Sequence, residues 1–238
     1  MDLGLLNRTY VVTGASRGLG LATAQVLAAE GARTILVARD ADRLDGAVRT
    51  LGEGHRAIAA DLSDPTTAEA ISRDVGVVDG VLVNVGGPTP GSLLALDDRA
   101  WRDAIDGVPL ASVRLLRALT PVVREGGSIL VVLSTSVKEP IAGLGASNVL
   151  RPGLAMAVKE LADALAPHVR VNGILPGRIE TDRLREVMVG DLGEGIPLGR
   201  PGDPAEFGRV ATFLLSPAAS YVTGTLVPVD GGLLRSPW

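Results

Sequence analysis

A glycine-rich turn near the start of the chain has the residue types needed to hold a phosphate. Residues 13–20 read Thr13-Gly14-Ala15-Ser16-Arg17-Gly18-Leu19-Gly20. They follow a short apolar run and open a segment with helical spacing, so the glycines fall where the backbone must turn tightly. The first turn of that helix would offer unpaired N–H groups and a positive dipole end to a pyrophosphate. The pattern predicts a dinucleotide site; a glycine-rich turn with a purely structural role is the alternative.

The end of the next predicted strand favours NADP(H) over NAD(H). An acidic residue there would bind the ribose hydroxyls and repel a 2′-phosphate. Ala38 occupies that place and Arg39 follows it. Arg39 and Arg17 supply two guanidinium groups, which suit phosphate recognition; a solvated surface charge is the alternative for Arg39. Asp40 has the spacing of a ribose-binding acid, but we interpret it as the N-cap of the following helix.

The elements that must position these residues alternate between strands and helices. Continuous apolar runs predict buried strands at 9–12, 34–38, 57–60, 77–83, 128–133, 170–174 and 226–229. Helical patterns lie near 18–30, 40–51, 65–75, 97–120, 147–166 and 204–216, with Asp40, Asp64 and Asp203 as predicted N-caps. Repeated β–α units imply an α/β fold of the Rossmann type: a doubly wound, mostly seven-stranded parallel sheet with helices on both faces. Ligands of such sheets bind beyond the carboxyl ends of the strands.

Composition narrows the class of protein. The length of 238 residues and the lack of a linker predict one domain, 1–238. The net charge of −4 gives no basic footprint for nucleic acid. The absence of cysteine and the separation of His55 from His168 argue against a metal site. No apolar stretch has the length of a membrane span, and no secretory signal is evident. We expect a cytoplasmic protein with a small-molecule substrate.

The TGxxxGxG spacing of the turn resembles the short-chain dehydrogenase/reductase family, and further matches follow in order. Asp61-Leu62 resembles the family's adenine-contacting pair, and Asn84-Val85-Gly86 the end of its NNAG motif, with Val83 replacing the first Asn. Pro176-Gly177-Arg178-Ile179-Glu180-Thr181 resembles PGxxxT, whose Ile and Thr positions contact the nicotinamide carboxamide. The tail from residue 197 to Gly232 is similar to that of the β-ketoacyl carrier-protein reductase branch. The resemblance extends over residues 9–232 and implies that these motifs bind the cofactor.

The resemblance breaks at the reaction site. The family's chemistry uses an Asn–Ser–Tyr–Lys set, in which Tyr exchanges a proton with the substrate oxygen, Ser hydrogen-bonds it and Lys holds the ribose. Ser134 matches the family's Ser. Thirteen residues later the Tyr position holds Ser147, the Lys position holds Arg151, and the Asn position aligns with Val108. Because a serine hydroxyl is a much weaker acid than a phenol, we expect hydride transfer to be weakened rather than forbidden.

Lys138 is the candidate replacement for the acid, since it follows Ser134 by four residues on the ligand side. The set Ser134, Lys138, Ser147, Asn148 and Arg151 resembles a divergent subgroup with a VKxP…SNxxR pattern. Asn148 would orient Lys138 or Arg151, and Arg151 would contact ribose or phosphate but cannot act as an acid. An exposed lysine paired with Glu139 is the alternative for Lys138. A helix N-cap is the alternative for Ser147.

A glycine-containing segment, 180–198, is expected to form a short lid over the substrate. Its acids Asp182, Glu186, Asp191 and Glu194 are expected to be solvated and receive no role. The helices near 97–120 and 147–166 pack tetramers in the resembling family, which implies a homo-oligomer, dimer or tetramer. The leading hypothesis is an NADP-dependent carbonyl/alcohol oxidoreductase with an atypical catalytic set. The alternatives are a non-redox NADP-binding sensor or partner subunit, and a non-redox cyclase or isomerase.

Overall fold

The computed structural model describes residues 2–188 and 190–236. Within them, seven strands form one parallel sheet, as the sequence predicts, and the strand order is β3-β2-β1-β4-β5-β6-β7. The strands are β1 Thr9–Thr13, β2 Arg33–Ala38, β3 Arg56–Ala59, β4 Val78–Val83, β5 Val123–Val132, β6 Val169–Pro176 and β7 Leu226–Val229. The central strands are aliphatic and buried on both faces, which explains why they read as continuous apolar runs.

Helices cover both faces of this sheet. They are α1 Gly18–Ala29, α2 Ala41–Leu51, α3 Thr67–Val75, α4 Asp98–Ile105, α5 Ala111–Leu119, α6 Gly145–Leu165, α7 Asp182–Val187 and α8 Pro204–Leu215. Two apolar clusters, one on each side of the sheet, hold the layers together. One contains Leu115 and Leu154 from α5 and α6, and the other contains Leu27 and Phe207 from α1 and α8. Loops lie at the edge of the sheet that is formed by the carboxyl ends of the strands.

Three local expectations differ from the structure. The stretch predicted as one helix near 97–120 is broken by a π-helical turn, Asp106–Leu110, because Pro109 has no N–H for the α-helical bond. The predicted N-cap Asp64 is wrong: Thr66 precedes α3, and Asp64 instead accepts hydrogen bonds from the Thr66 N–H and hydroxyl. The short helix α7 was not predicted within the segment 180–198, which the structure describes except for residue 189.

Candidate functional site

The glycine-rich turn is held against the end of β4. The Thr13 hydroxyl accepts a hydrogen bond from the Asn84 N–H at 2.8 Å and lies 3.0 Å from the Asn84 carbonyl oxygen. Gly14 has a φ of +60°, and a Cβ at this position would lie 2.6 Å from the same carbonyl. Only glycine fits there. The predicted residues Thr13, Gly14 and Asn84 therefore meet at one point on the carboxyl edge of the sheet.

Helix α1 begins directly after this turn. Its N-cap, Arg17, makes no side-chain cap hydrogen bond, so the first N–H groups of the helix have no acceptor within it. Gly20 is buried, and a Cβ there would collide with the carbonyl of the turn's first glycine. Ser16 and Leu19 lie half-buried beside Gly18. The turn and the helix end together form the concave set of donors that binds a pyrophosphate.

The end of β2 carries no free acid. Asp40 is the N-cap of α2, as predicted, because its Oδ1 accepts a hydrogen bond from the Arg43 N–H at 3.0 Å. Its other oxygen lies 3.1 Å from Arg43 Nε. Arg39, directly beyond the buried Ala38, is exposed and has no ion pair among the residues that the structure describes. The Asp40 carboxylate is thus committed to the helix, whereas the Arg39 guanidinium is available at the strand end.

Arg17 has a partner that the sequence did not suggest. Its Nη1 lies 3.2 Å from Asp182 Oδ2 and 3.6 Å from Glu186 Oε1, both on α7. These two acids are exposed, as expected, and their ion pairs with Arg17 link α7 to the phosphate turn. All three side chains are about half-exposed or more, so each ion pair is worth little by itself.

The other side of α7 contacts the loop that follows β4. Arg183 Nη2 donates a hydrogen bond to the Pro88 carbonyl at 2.5 Å. Thr181 caps the start of the helix, with its hydroxyl accepting from the Leu184 N–H at 3.3 Å. Helix α7 therefore spans the gap between the β1–α1 turn and the β4–α4 loop, which is the position expected of a lid.

The motif at the end of β6 is fixed by its neighbours. Pro176 is the last residue of β6, and a Cβ at Gly177 would lie 2.6 Å from Asp230 Cα, so this residue must be glycine for the chain to pass the end of β7. Ile179 is buried and forms an isolated parallel bridge with Gly202. These contacts position Ile179 and Thr181 at the carboxyl edge, as the motif implies.

Asp61 and Gly86 lie further along the same edge. Asp61 Oδ1 accepts hydrogen bonds from the Ser63 N–H and hydroxyl at 3.0 and 2.8 Å, and these bonds lower the pKa of Asp61 below its ordinary value. Its neighbour Leu62 packs against the core. A Cβ built at Gly86 meets no heavy atom within 4 Å in the described part of the chain. The space in front of Gly86 is therefore open.

Arg151 is the most unusual residue of the predicted set. It lies in α6 and is only 6% exposed. Its Nη1 donates to the Val132 carbonyl at 2.6 Å, but its Nε has no hydrogen-bond partner among the described residues, and no carboxylate pairs with it there. Burial lowers the pKa of Arg151 to about 10. A buried cation and an unsatisfied donor are each costly, so this side chain indicates a missing polar or anionic ligand.

The two predicted serines are linked by a third that sequence reasoning missed. The Ser134 hydroxyl accepts a hydrogen bond from the Ser136 N–H at 3.1 Å, and the Ser136 hydroxyl lies 3.1 Å from that of Ser147. Ser136 and Ser147 are both buried. Ser147 is the third residue of α6, so it is not the N-cap of this helix. The only sequence signal for Ser136 was its position two residues after Ser134, which is a predicted catalytic residue.

Lys138 follows Ser134 on the loop after β5 and is half-buried. The alternative in which it pairs with Glu139 is not what the structure contains. Glu139 Oε1 instead accepts hydrogen bonds from the N–H groups of Arg235 and Ser236 at 2.7 and 2.6 Å. The Lys138 amine makes no hydrogen bond or ion pair with any residue in the ranges 2–188 and 190–236.

Asn148 holds the loop that carries Lys138. Its Oδ1 accepts from the Ile141 N–H and its Nδ2 donates to the Ile141 carbonyl, both at 2.9 Å. The amide is therefore hydrogen-bonded to backbone and makes no side-chain hydrogen bond with Lys138 or Arg151. Any orienting effect of Asn148 on Lys138 passes through the loop.

Val108 and the chain's two tyrosines are the remaining residues to compare with the family's catalytic set. Val108 lies in the π-helical turn with its side chain in the core. Of the chain's two tyrosines, Tyr10 is buried in β1, where burial raises its pKa to about 12. Tyr221 is fully exposed. Neither tyrosine lies on the loop after β5 or on α6.

The residues present fit a nicotinamide dinucleotide. The uncapped N-terminus of α1 suits a pyrophosphate, and the unpartnered Nε of Arg151 suits a ribose hydroxyl or another oxygen acceptor. The open space before Gly86 lies between these two points in the strand order, since β4 separates β1 from β5. This is the topological switch point at which doubly wound sheets bind dinucleotides.

Comparison with known proteins agrees with this geometry. The family model described as Enoyl-(Acyl carrier protein) reductase matches residues 14–234. The galactitol 2-dehydrogenase (L-tagatose-forming) of Cereibacter sphaeroides is 38% identical, covering 93% of this chain and 92% of its own. The 3-oxoacyl-[acyl-carrier-protein] reductase FabG of Aggregatibacter actinomycetemcomitans is 34% identical, covering 96% and 100%.

Among solved structures, one neighbour has a description that concerns its catalytic center. It is a short chain oxidoreductase from Pseudomonas aeruginosa PAO1, described as NADPH-bound and as containing an atypical catalytic center. It is 32% identical with a TM-score of 0.89, covering 96% of this chain and 97% of that one. The chain belongs to the short-chain dehydrogenase/reductase family, and its class is that of the oxidoreductases.

No helix in residues 2–188 or 190–236 is both long and apolar enough to cross a membrane. The same residues contain no group of three or more His, Asp or Glu side chains arranged to hold a metal ion.

Proposed function

We propose that this protein is an NADP-dependent oxidoreductase that interconverts a carbonyl compound and its alcohol with an atypical catalytic set. The observation that carries the proposal is Arg151, which is buried without a counter-ion and with an unpartnered Nε at the carboxyl edge of the sheet. The NADPH-bound P. aeruginosa relative with an atypical catalytic center supports it. When bound, the nicotinamide supplies the hydride.

The chain's residues divide the work of binding this cofactor. The turn 13–20 and the first N–H groups of α1 bind the pyrophosphate, and Asp61 and Leu62 border the adenine. Arg39 binds the 2′-phosphate, because Asp40 is committed to capping α2 and no acid repels that phosphate. Arg151 donates to a ribose hydroxyl. Asn84, Gly86, Ile179 and Thr181 border the nicotinamide half of the cleft.

Lys138 is the proposed proton donor. The Ser147 hydroxyl is turned into a buried contact with Ser136, and a serine places its hydroxyl one bond beyond Cβ, far short of a tyrosine hydroxyl. The amine of Lys138, by contrast, is not held by Glu139. Ser134 is placed to hydrogen-bond the substrate oxygen, and Ser136 and Ser147 fix the start of α6 beside it. Lysine is a recognised general acid in such a role.

We further propose that the chain acts as one nucleotide-binding domain, with the segment 180–198 as its lid. The proposed domain is 1–238, and its residues 1, 189, 237 and 238 lie outside the described residues; residue 189 also belongs to the proposed lid. The ion pairs of Arg17 and the contact between Arg183 and Pro88 support the lid, since they hold α7 across the cleft.

The test is a titration followed by a substrate panel. Calorimetry with NADPH and NADH, and then the loss of nicotinamide absorbance with ketoses, 3-oxoacyl thioesters, aldehydes and imines, would measure binding and turnover separately. We expect NADPH to bind more tightly than NADH and at least one carbonyl compound to be reduced. Tight NADPH binding without turnover on the whole panel would overturn the redox proposal in favour of a sensor or partner subunit. Conversion of a substrate at constant nicotinamide absorbance would favour a cyclase or isomerase.

A further inference from the structure

The chain turns back over the sheet edge after β7. Asp230 stabilises this turn, because its Oδ1 accepts from the Gly232 N–H and its Oδ2 from the Leu234 N–H, each at 2.9 Å. Gly231 and Gly232 have φ values of +66° and +84°, a conformation that other residues rarely adopt. We call residues 230–236 the tail. Its direction is set by the turn.

The tail packs on the end of the proposed lid. The Leu198 N–H donates to the Gly231 carbonyl at 3.2 Å. A Cβ at Gly231 would lie 2.7 Å from Ile196 Cγ2, and one at Gly232 would lie 3.1 Å from Pro197 Cγ. The backbone of the tail and the lid segment are therefore in direct contact, with no room for larger residues between them.

The far end of the tail is bound to the loop that carries Lys138. A single oxygen, Glu139 Oε1, accepts the N–H groups of Arg235 and Ser236 at 2.7 and 2.6 Å. Two short bonds to one carboxylate are stronger than bonds between neutral groups. Glu139 is the residue next to the proposed proton donor, and it holds the tail there although Arg235 and Glu139 are 96 residues apart in sequence.

We propose that the tail is a wall of the substrate pocket, and that Glu139 is the positioning residue that clamps this wall beside Lys138. The inference rests on the proposed function in one respect: it requires that the Lys138 amine faces the substrate. The tail then connects the lid segment at Ile196–Leu198 to the loop after β5, so that the pocket is closed on this side by backbone. Glutamine at position 139 retains an acceptor oxygen, whereas alanine removes it.

The lysine content of the chain makes this testable without a known substrate. Lys138 and Lys159 are its only lysines, and Lys159 lies on α6 in an exposed ion pair with Asp163. Acetylation by N-acetoxysuccinimide, followed by peptide mass spectrometry, reports the accessibility of each amine. We expect E139A to raise the rate at Lys138 about tenfold relative to Lys159, because charge-assisted bonds of this kind contribute at least that factor to local opening. Hydrogen exchange in the tail should rise in parallel.

The controls separate the clamp from general damage to the fold. E139Q should label close to wild type, and E53A, which removes an exposed glutamate in the α2–β3 turn, should change nothing. If E139A is misfolded, as a rise in Lys159 labelling would reveal, R235P removes one of the same bonds from the side of the tail and should expose Lys138 selectively. Faster hydrogen exchange in the tail with unchanged Lys138 labelling would overturn the proposal that the tail walls the pocket beside Lys138. Unchanged hydrogen exchange in the tail would overturn the proposal that Glu139 clamps it. NADPH calorimetry on the same samples distinguishes these failures from failure of the proposed function.

Discussion

The hydroxyls of Ser136 and Ser147 lie 3.1 Å apart in the interior of the protein. The resemblance aligns Ser147 with the family's catalytic tyrosine, and the Ser147 hydroxyl is buried against Ser136. The Ser136 hydroxyl also lies 3.4 Å from the Ser147 carbonyl, which fixes the first turn of α6. In the proposed function, this arrangement gives Ser147 a structural role and makes Lys138 the candidate proton donor.

Replacing Lys138 by alanine should lower kcat about 10²- to 10⁴-fold, the usual contribution of a general acid, while leaving the affinity for NADPH close to that of the wild type. Lys159→Ala is the matched control, because it removes the chain's other lysine from an exposed ion pair on α6. Steady-state kinetics on any carbonyl substrate identified by the panel would measure the effect. Equal rates for the two variants would exclude Lys138 as the donor.

The double variant Ser147→Tyr, Arg151→Lys should raise ketone reduction if only the usual proton donor is missing. The phenol would extend from α6 toward the cleft, and the lysine amine would lower its pKa. We expect a gain on the order of 10²-fold in kcat. Ser147→Phe with Arg151→Lys is the control for shape alone. A gain that appears equally in the phenylalanine variant would show that packing, and not the hydroxyl, is responsible.

Arg39→Ala should weaken NADPH binding about tenfold or more, because a hydrogen bond to a charged group contributes roughly 1.5–3 kcal/mol. Binding of NADH, which has no 2′-phosphate, should change little. Arg49→Ala removes another arginine of the β2–α2 region from the last turn of α2 and should affect neither cofactor. Calorimetry on the three proteins checks this. A parallel loss of affinity for NADH and NADPH would argue against a phosphate contact.

Neutralising both acids of α7, in Asp182→Asn with Glu186→Gln, should release Arg17 from its two exposed ion pairs. If the 2′-phosphate competes for this guanidinium, NADPH affinity should rise up to about fivefold, which matches the energy of exposed pairs. NADH affinity should not change. Stopped-flow dissociation rates would accompany the equilibrium constants. Faster release of both cofactors would mean instead that the ion pairs act mainly to hold the lid.

The exposed apolar residues of α4, the π-helical turn, α5 and α6 predict an oligomer. They are Ile105, Leu110, Val113, Val149 and Met156, with exposures from 39% to 70%. Since α4 and α6 contact one another, we expect these residues to contribute to one surface between subunits. Met156→Glu should shift the sedimentation coefficient toward that of a monomer, whereas Leu6→Glu, at another exposed leucine, should not. A wild-type protein that sediments as a monomer would contradict the prediction.

Much of the fold could be predicted because apolar runs and glycine positions act locally. The seven-stranded parallel sheet, the commitment of Asp40 to capping α2 and the meeting of Thr13, Gly14 and Asn84 all follow from such signals. The resemblance to the family added the register that places Ser147 and Arg151 on α6, near the end of β5. Each of these features depends on the backbone and on residues close to it.

The features that could not be predicted depend on long-range contacts of flexible side chains. The partners of Glu139 lie almost a hundred residues away, and those of Arg17 lie on a helix of only six residues. Neither contact leaves a periodic pattern in the sequence. Spacing alone offers Glu139 as a neighbour for Lys138 and gives no sign of the partner of Asp182. The π-helical turn has a local cause instead, since the missing N–H of Pro109 outweighs a long amphipathic pattern.

The electrostatic contacts of the site fall into two regimes with respect to dissolved ions. The charges that hold α7 to the phosphate turn are in contact with water, and at high ionic strength they are screened over a few ångströms. Arg151 is enclosed by protein, and the counter-ions that weaken the lid cannot reach it. Sodium chloride should therefore act on entry and exit of the nucleotide while leaving the chemical step almost untouched. Salt is in this sense a reagent that can separate gating from catalysis in this protein without any mutation.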